Sequence, residues 1–142
     1  MIDTELYVVK GKVYEQKKGY SAEVGEDIGY EKGAKMIKSY FDQNPDDILA
    51  HFMGRNMIEA ILAQPGVVGM RMFYALNEVG LKQLVMVGVD AKGNNVLHYD
   101  TVNAVGDIVR NNGIVADRVR SCPPYCGEPG NGSEIGWFTT SL

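Results

Sequence analysis

Two cysteines, two histidines and one tryptophan are all that 142 residues offer of those types, so donors for soft metals are scarce. A structural zinc site takes four nitrogen or sulfur ligands, and here Cys122, Cys126, His51 and His98 would all have to meet at one point. A basic excess is also missing. Fourteen Lys and Arg against 18 Asp and Glu leave a net charge of -4, which argues against general binding to nucleic-acid phosphates. The densest cationic cluster, Lys10, Lys12, Lys17 and Lys18, is broken by Glu15 and followed by Glu23, Glu26 and Asp27, and reads as a solvated strand and turn. No apolar run reaches the length that spans a bilayer. The first residues, Met-Ile-Asp-Thr-Glu, form neither a positive n-region nor an apolar h-region. The expectation is a cytoplasmic chain with no membrane partner. Phosphate-binding loop, nucleophile elbow, HExxH and Rossmann glycine patterns are absent as well, which lowers the expectation of an enzyme and implies no cofactor.

What is present suits a folded chain: 45% apolar and 23% charged residues support one α+β domain over residues 1–126, with a Gly-, Ser- and Pro-rich tail over 127–142. Leu6 to Tyr14 is rich in β-branched and aromatic residues and predicts an edge strand. Gly19, Gly25 and Gly29 mark a loop. Apolar residues at Tyr30, Ala34, Ile37 and Phe41 then predict a helix over about 30–42. Asn44-Pro45-Asp46-Asp47 has the composition of a helix start, and the stripe Leu49, Met53, Met57, Ala60, Ile61 predicts a helix running to about Ala63, where Gln64-Pro65-Gly66 stops it. Val67–Leu76 and Leu81–Asp90, split by Asn77-Glu78-Val79-Gly80, read as a hairpin. A glycine turn over 90–95 leads to a third strand at 96–99. Residues 102–109 suit either a strand or a short helix, and Asn111-Asn112-Gly113 is a break before Ile114. No internal repeat is evident. The predicted architecture is an antiparallel meander of three to five strands with two main helices packed on one face, and a tail docked through Trp137 and Phe138 or mobile.

Gln64-Pro65-Gly66, Gly69-Met70-Arg71-Met72-Phe73-Tyr74, Leu84-Val85-Met86-Val87-Gly88-Val89-Asp90, Gly93-Asn94 and Cys122-Pro123-Pro124-Tyr125-Cys126 together resemble an uncharacterised family of small bacterial proteins. Its pattern is a helix ending in QPG, a G-x-R-x-Y strand, an LVLVGVD strand with a glycine turn, and a C-terminal CPP-x-C segment, matched loosely over residues 30–126. The resemblance implies a bacterial cytoplasmic domain and no particular chemistry. Many relatives carry cysteine directly after QPG, where this chain has Val67.

Cys122-x3-Cys126 is the one motif able to carry reactive chemistry, as a thiol or disulfide pair, as half of a metal site, or simply as a structural turn. His51 and Arg55, one turn apart on the expected long helix, suit either a small anionic ligand or a solvent face. Arg71 interrupts an apolar strand and is expected to reach Glu78 or Asp90, or else a ligand or partner. Asp90, Asn94 and Asn95 offer oxygens for a hard cation but lack the EF-hand register, and a β-turn accounts for them. The outward positions Val67, Phe73, Val85, Val87 and Val89 are too apolar for water. Two functions compete: a small binding or regulatory module acting as a homodimer, and a redox or metal protein built on Cys122 and Cys126, aided by His98 or Arg71.

Overall fold

A computed structural model describes residues 4–124. The elements in chain order are β1 (Thr4–Val9), β2 (Lys12–Lys17), α1 (Tyr30–Gln43), β3 (Ala50–Phe52), α2 (Arg55–Leu62), β4 (Val67–Leu76), β5 (Lys82–Asp90), β6 (His98–Val102), β7 (Ile108–Asn112), β8 (Val115–Ala116) and β9 (Arg120–Cys122). The α+β class is as expected. The single meander is not: the strands form separate sheets β1-β2, β3-β9, β4-β5-β8 and β6-β7. The chain divides into two compact units, one of residues 1–25, 55–73 and 85–116, the other of residues 26–54, 74–84 and 117–142. Thus α1 belongs to the second unit and α2 to the first. The expected tail, with Trp137 and Phe138, lies outside the described residues.

In the first unit β5 is the middle strand, and Met86, Val87 and Val89 are all buried with Gly88 between them. Both faces of this strand are covered, so Val87 and Val89 are not the solvent-facing positions that the sequence suggested. Ile61 of α2 is fully enclosed. Two residues beyond α2, the buried Gln64 donates from Nε2 to the carbonyl of Ile61 (3.0 Å) and accepts at Oε1 the backbone N–H of Ile114 (2.8 Å). One side-chain amide thereby closes the helix end and fixes the approach to β8, which a buried amide must do to offset its desolvation. A Cβ on Gly88 would stand 2.8 Å from Val67 Cγ2 and 3.2 Å from Gln64 Nε2. The missing side chain at Gly88 therefore lets the Gln64–Val67 corner lie against β5.

Three turns share one device. Asn77, Asp90 and Asn103 each accept at the side-chain Oδ1 the N–H groups two and four residues on, at 2.9–3.1 Å. In each, a glycine three residues on (Gly80, Gly93, Gly106) takes a positive φ of 82–89°. These asparagine/aspartate starts stand thirteen residues apart, a repeat of turns that composition hides because the strands between them differ. The second turn was expected to return a strand at 96–99 beside β5. Pairing there stops after the bridge Val89–Asn95 and the bond from Val96 N–H to the Gly88 carbonyl. The Leu97 carbonyl is taken by the N–H of Gly113 instead, at 2.7 Å. β8 occupies the vacated edge, with Met86 opposite Ala116 and Val87 opposite Val115. An added Cβ at Gly113 would run into the Val96 backbone, so this crossing also requires glycine.

The second unit corrects the long helix. Asn44 does not start a helix but ends α1: its backbone N–H bonds to the carbonyls of Tyr40 and Phe41, and its side-chain amide to that of Tyr40. Pro45 then prevents continuation. Ala50–Phe52, read as helix, pairs antiparallel with Arg120–Cys122, and Leu49 N–H bonds to the Cys122 carbonyl at 2.8 Å. Backbone pairing to a distant segment outweighs the helical periodicity, and α2 begins only at Arg55, just after Gly54.

Gly88→Ala is expected to lower stability by about 1–3 kcal/mol through overpacking. Combined with Val67→Ala it should cost clearly less than the two single changes added together, because the second substitution clears the space the first fills. Denaturant unfolding of the four proteins measures this, and strict additivity would contradict the close approach.

Candidate functional site

Few of the sequence candidates meet. His51 lies in β3 and its Nε2–H donates to the Lys82 carbonyl at 3.1 Å. Arg55 opens α2 and pairs with Glu59 at 4.0 Å, both side chains well exposed; the one-helix anion clamp of His51 and Arg55 does not form. His98 opens β6 opposite Asn112 and is exposed. Cys122 closes β9, half-buried and disulfide-bonded, while Cys126 lies outside the described residues. No cluster of three or more His, Cys, Asp or Glu able to hold a metal occurs among the described residues, and no helix among them is long and apolar enough to cross a membrane.

Arg71 is different. From the middle of β4 its guanidinium donates through Nη1 to Asn95 Oδ1 (2.5 Å) and through Nη2 to the Gly93 carbonyl (3.2 Å), and it stands 5.7 Å from the ring centroid of Tyr20. Neither Glu78 nor Asp90 is its partner: the Asp90 carboxylate is used by the N–H groups of Asn94 and Lys92, which hold its pKa below the ordinary value. The turn therefore turns neutral dipoles, not a charge, toward Arg71. Gly93 shapes the place, because a Cβ there would collide with the Tyr20 ring. A guanidinium has five N–H donors in a planar fork, and two acceptors from one turn leave further donors for another group.

Arg71 and Tyr20 border a cavity of about 790 Å³ within the first unit. Its apolar lining comes from Leu62 of α2, Val68, Met70 and Met72 of β4 and Val89 of β5. The polar lining is Arg71 with Tyr20, Ser21, Glu5 and Gln16. That volume falls within the usual range of small-molecule sites, as does the pairing of an apolar lining with a few convergent polar groups. The sequence pointed to Arg71. It gave no sign of Tyr20 or Glu5, because nothing local ties residues 5–24 to β4.

A second polar cluster, which sequence reasoning missed, lies in the second unit. Lys82 Nζ is 2.8 Å from Asp47 Oδ2, both side chains roughly a third exposed, and the Tyr40 hydroxyl donates to the same carboxylate oxygen. The bonds from Lys82 and then Tyr40 depress the Asp47 pKa to about 2. The Asp47 carboxylate in turn raises both Tyr40 and Lys82 above their ordinary values. Raised pKa values keep the phenol and the ammonium protonated, the opposite of what a base or nucleophile requires.

A depressed carboxylate stabilises the folded state above its ordinary pKa, and that contribution disappears as pH falls through the folded value. Melting temperature should therefore fall between pH 3.8, the ordinary value, and about 2. Asp47→Asn should flatten that limb and lower stability at neutral pH, and thermal melts across the acid range read both effects.

Comparison of the chain with protein-family models, curated proteins and solved structures finds no match.

Proposed function

We propose that this chain is a small binding module whose first unit takes an organic anion with an apolar body. The observation that carries the reading is Arg71: a cation lining a partly apolar cavity, with neutral hydrogen-bond acceptors and no carboxylate partner among the described residues. A structural arginine in such a place is ordinarily matched by a carboxylate, as Lys82 is by Asp47. Here the fork is held in position by the 90–95 turn and by Tyr20, which orients it without cancelling its charge. The aliphatic lining supplies the hydrophobic part of the affinity.

We place the module in the cytoplasm, of bacterial type in keeping with its motif resemblance, and as a homodimer. Support for self-association now comes from the β1-β2 ribbon and not from β5. Leu6, Val8 and Val13 share one ribbon face and are 66–69% exposed, a patch that a symmetric contact would cover. The alternative built on Cys122 and Cys126 is narrowed to its disulfide form, since Cys122 is disulfide-bonded, and of the helpers expected for it Arg71 is engaged elsewhere.

Titration calorimetry with octanoate should show binding that 1-octanol does not reproduce. Arg71→Met should weaken it by at least about tenfold, given that a charge-assisted pair is worth roughly 1.5–3 kcal/mol, while Arg71→Lys, keeping the charge without the fork, should retain part of it. Octanol binding as tightly as octanoate would overturn the reading. Light scattering should show a dimer that Val8→Glu converts to monomer, and a wild-type monomer at high concentration would refute the self-association.

A further inference from the structure

The cleft holds a second, opposite charge. Glu5 of β1 lines the same cavity as Arg71, and its register partner on β2 is Gln16, which also lines it. Residues directly opposite in an antiparallel pair project from the same face, so a carboxylate and an amide stand side by side. The ion pairs among the described residues are Lys38–Asp42, Arg55–Glu59 and Lys82–Asp47. Glu5 and Arg71 enter none of them and do not pair with each other. Thr4, one residue away, turns its hydroxyl to Glu15 at 2.7 Å on the other ribbon face, so Glu5 is not drawn into that contact.

A cavity that presents an anion on one sheet and a cation on another, with Leu62, Val68 and Met70 among its apolar lining, suits a ligand of the same pattern. We infer that the ligand is an ampholyte, its carboxylate on Arg71, its ammonium on Glu5 with the Gln16 amide oxygen beside it, and an apolar body between. This rests on the anion reading above and narrows it. An α-amino acid carries both charged groups attached to one carbon, whereas Glu5 and Arg71 belong to different sheets and form no ion pair with each other. A short apolar peptide with free termini separates its charges by about 3.3–3.6 Å for each extended residue, and about 790 Å³ accommodates one. Tyr20 and Ser21, also in the lining, supply neutral donors for its backbone carbonyls.

The probes are leucyl-leucine and trileucine, their N-acetyl and C-terminal amide forms, and leucine alone, measured by calorimetry on the intact chain. Wild type should bind the free peptides more tightly than leucine. N-acetylation should weaken binding by about fivefold, the weight of a solvent-facing ion pair, and amidation by more. Glu5→Gln, at an exposed position, should leave the melting temperature unchanged and abolish the penalty of N-acetylation, while keeping the penalty of amidation. N-acetyl peptides that bind wild type as tightly as free ones, Glu5→Gln without effect on that ratio, or leucine matching the peptides would each overturn the ampholyte and leave the anion reading standing. Amides binding as well as acids would overturn both.

Discussion

The corner at Gln64–Val67 can lie against β5 only because Gly88 has no side chain, and much of the first unit is arranged around that approach. Gln64 reaches Ile114 from this corner and so fixes where the chain enters β8. β8 in turn completes the sheet that buries Val87. Leu62 lies just before the corner and Val68 just after it, and both line the cavity. A bulkier residue at Gly88 would press on the supports of the cavity from behind. Close-packed interiors pass such a strain to their neighbours and do not absorb it.

The two units handle half-buried charge in opposite ways. In the second, Lys82 meets a carboxylate that also takes the Tyr40 hydroxyl, and all three groups are locked in their ordinary protonation states. In the first, the Asp90 carboxylate accepts through Oδ1 the N–H groups of its own turn, and Arg71 is left with an amide oxygen and a backbone carbonyl. Dipoles orient a cation without removing its field. On the proposed reading that difference separates a fastening from a recognition group, and it arises from a turn motif whose first duty is structural.

Local chemistry was legible and long-range pairing was not. The periodicity of Tyr30 to Phe41 marked α1, and Asn77 to Gly80 marked the turn between β4 and β5, because each depends on residues within one or two turns of chain. Asn44-Pro45 misled, since the same two residues can open a helix or close one, and the choice fell to Ala50–Phe52 pairing with Arg120–Cys122 some seventy residues away. The strand expected at 96–99 failed for a similar reason: Gly113, not β5, takes the Leu97 carbonyl. Of the site, Arg71 stood out as a charge in an apolar strand. Tyr20 and Glu5 carry no such mark, and only the fold brings them beside it.

The β1-β2 ribbon is a sheet of only two strands. Two strands alone are marginal in water, and this pair adds an edge-to-face contact of Tyr7 with Tyr14 (5.4 Å) and the bond from Thr4 to Glu15. One face contributes Glu5 and Gln16 to the cavity, and the other leaves Leu6, Val8 and Val13 in solvent. Whatever fills the cavity or covers that patch binds the ordered ribbon in preference to the frayed one, and so shifts its population by mass action. On the proposed reading, ligand and second copy act on opposite faces of one weak element. Occupancy of the cleft would then favour self-association without any contact between the two.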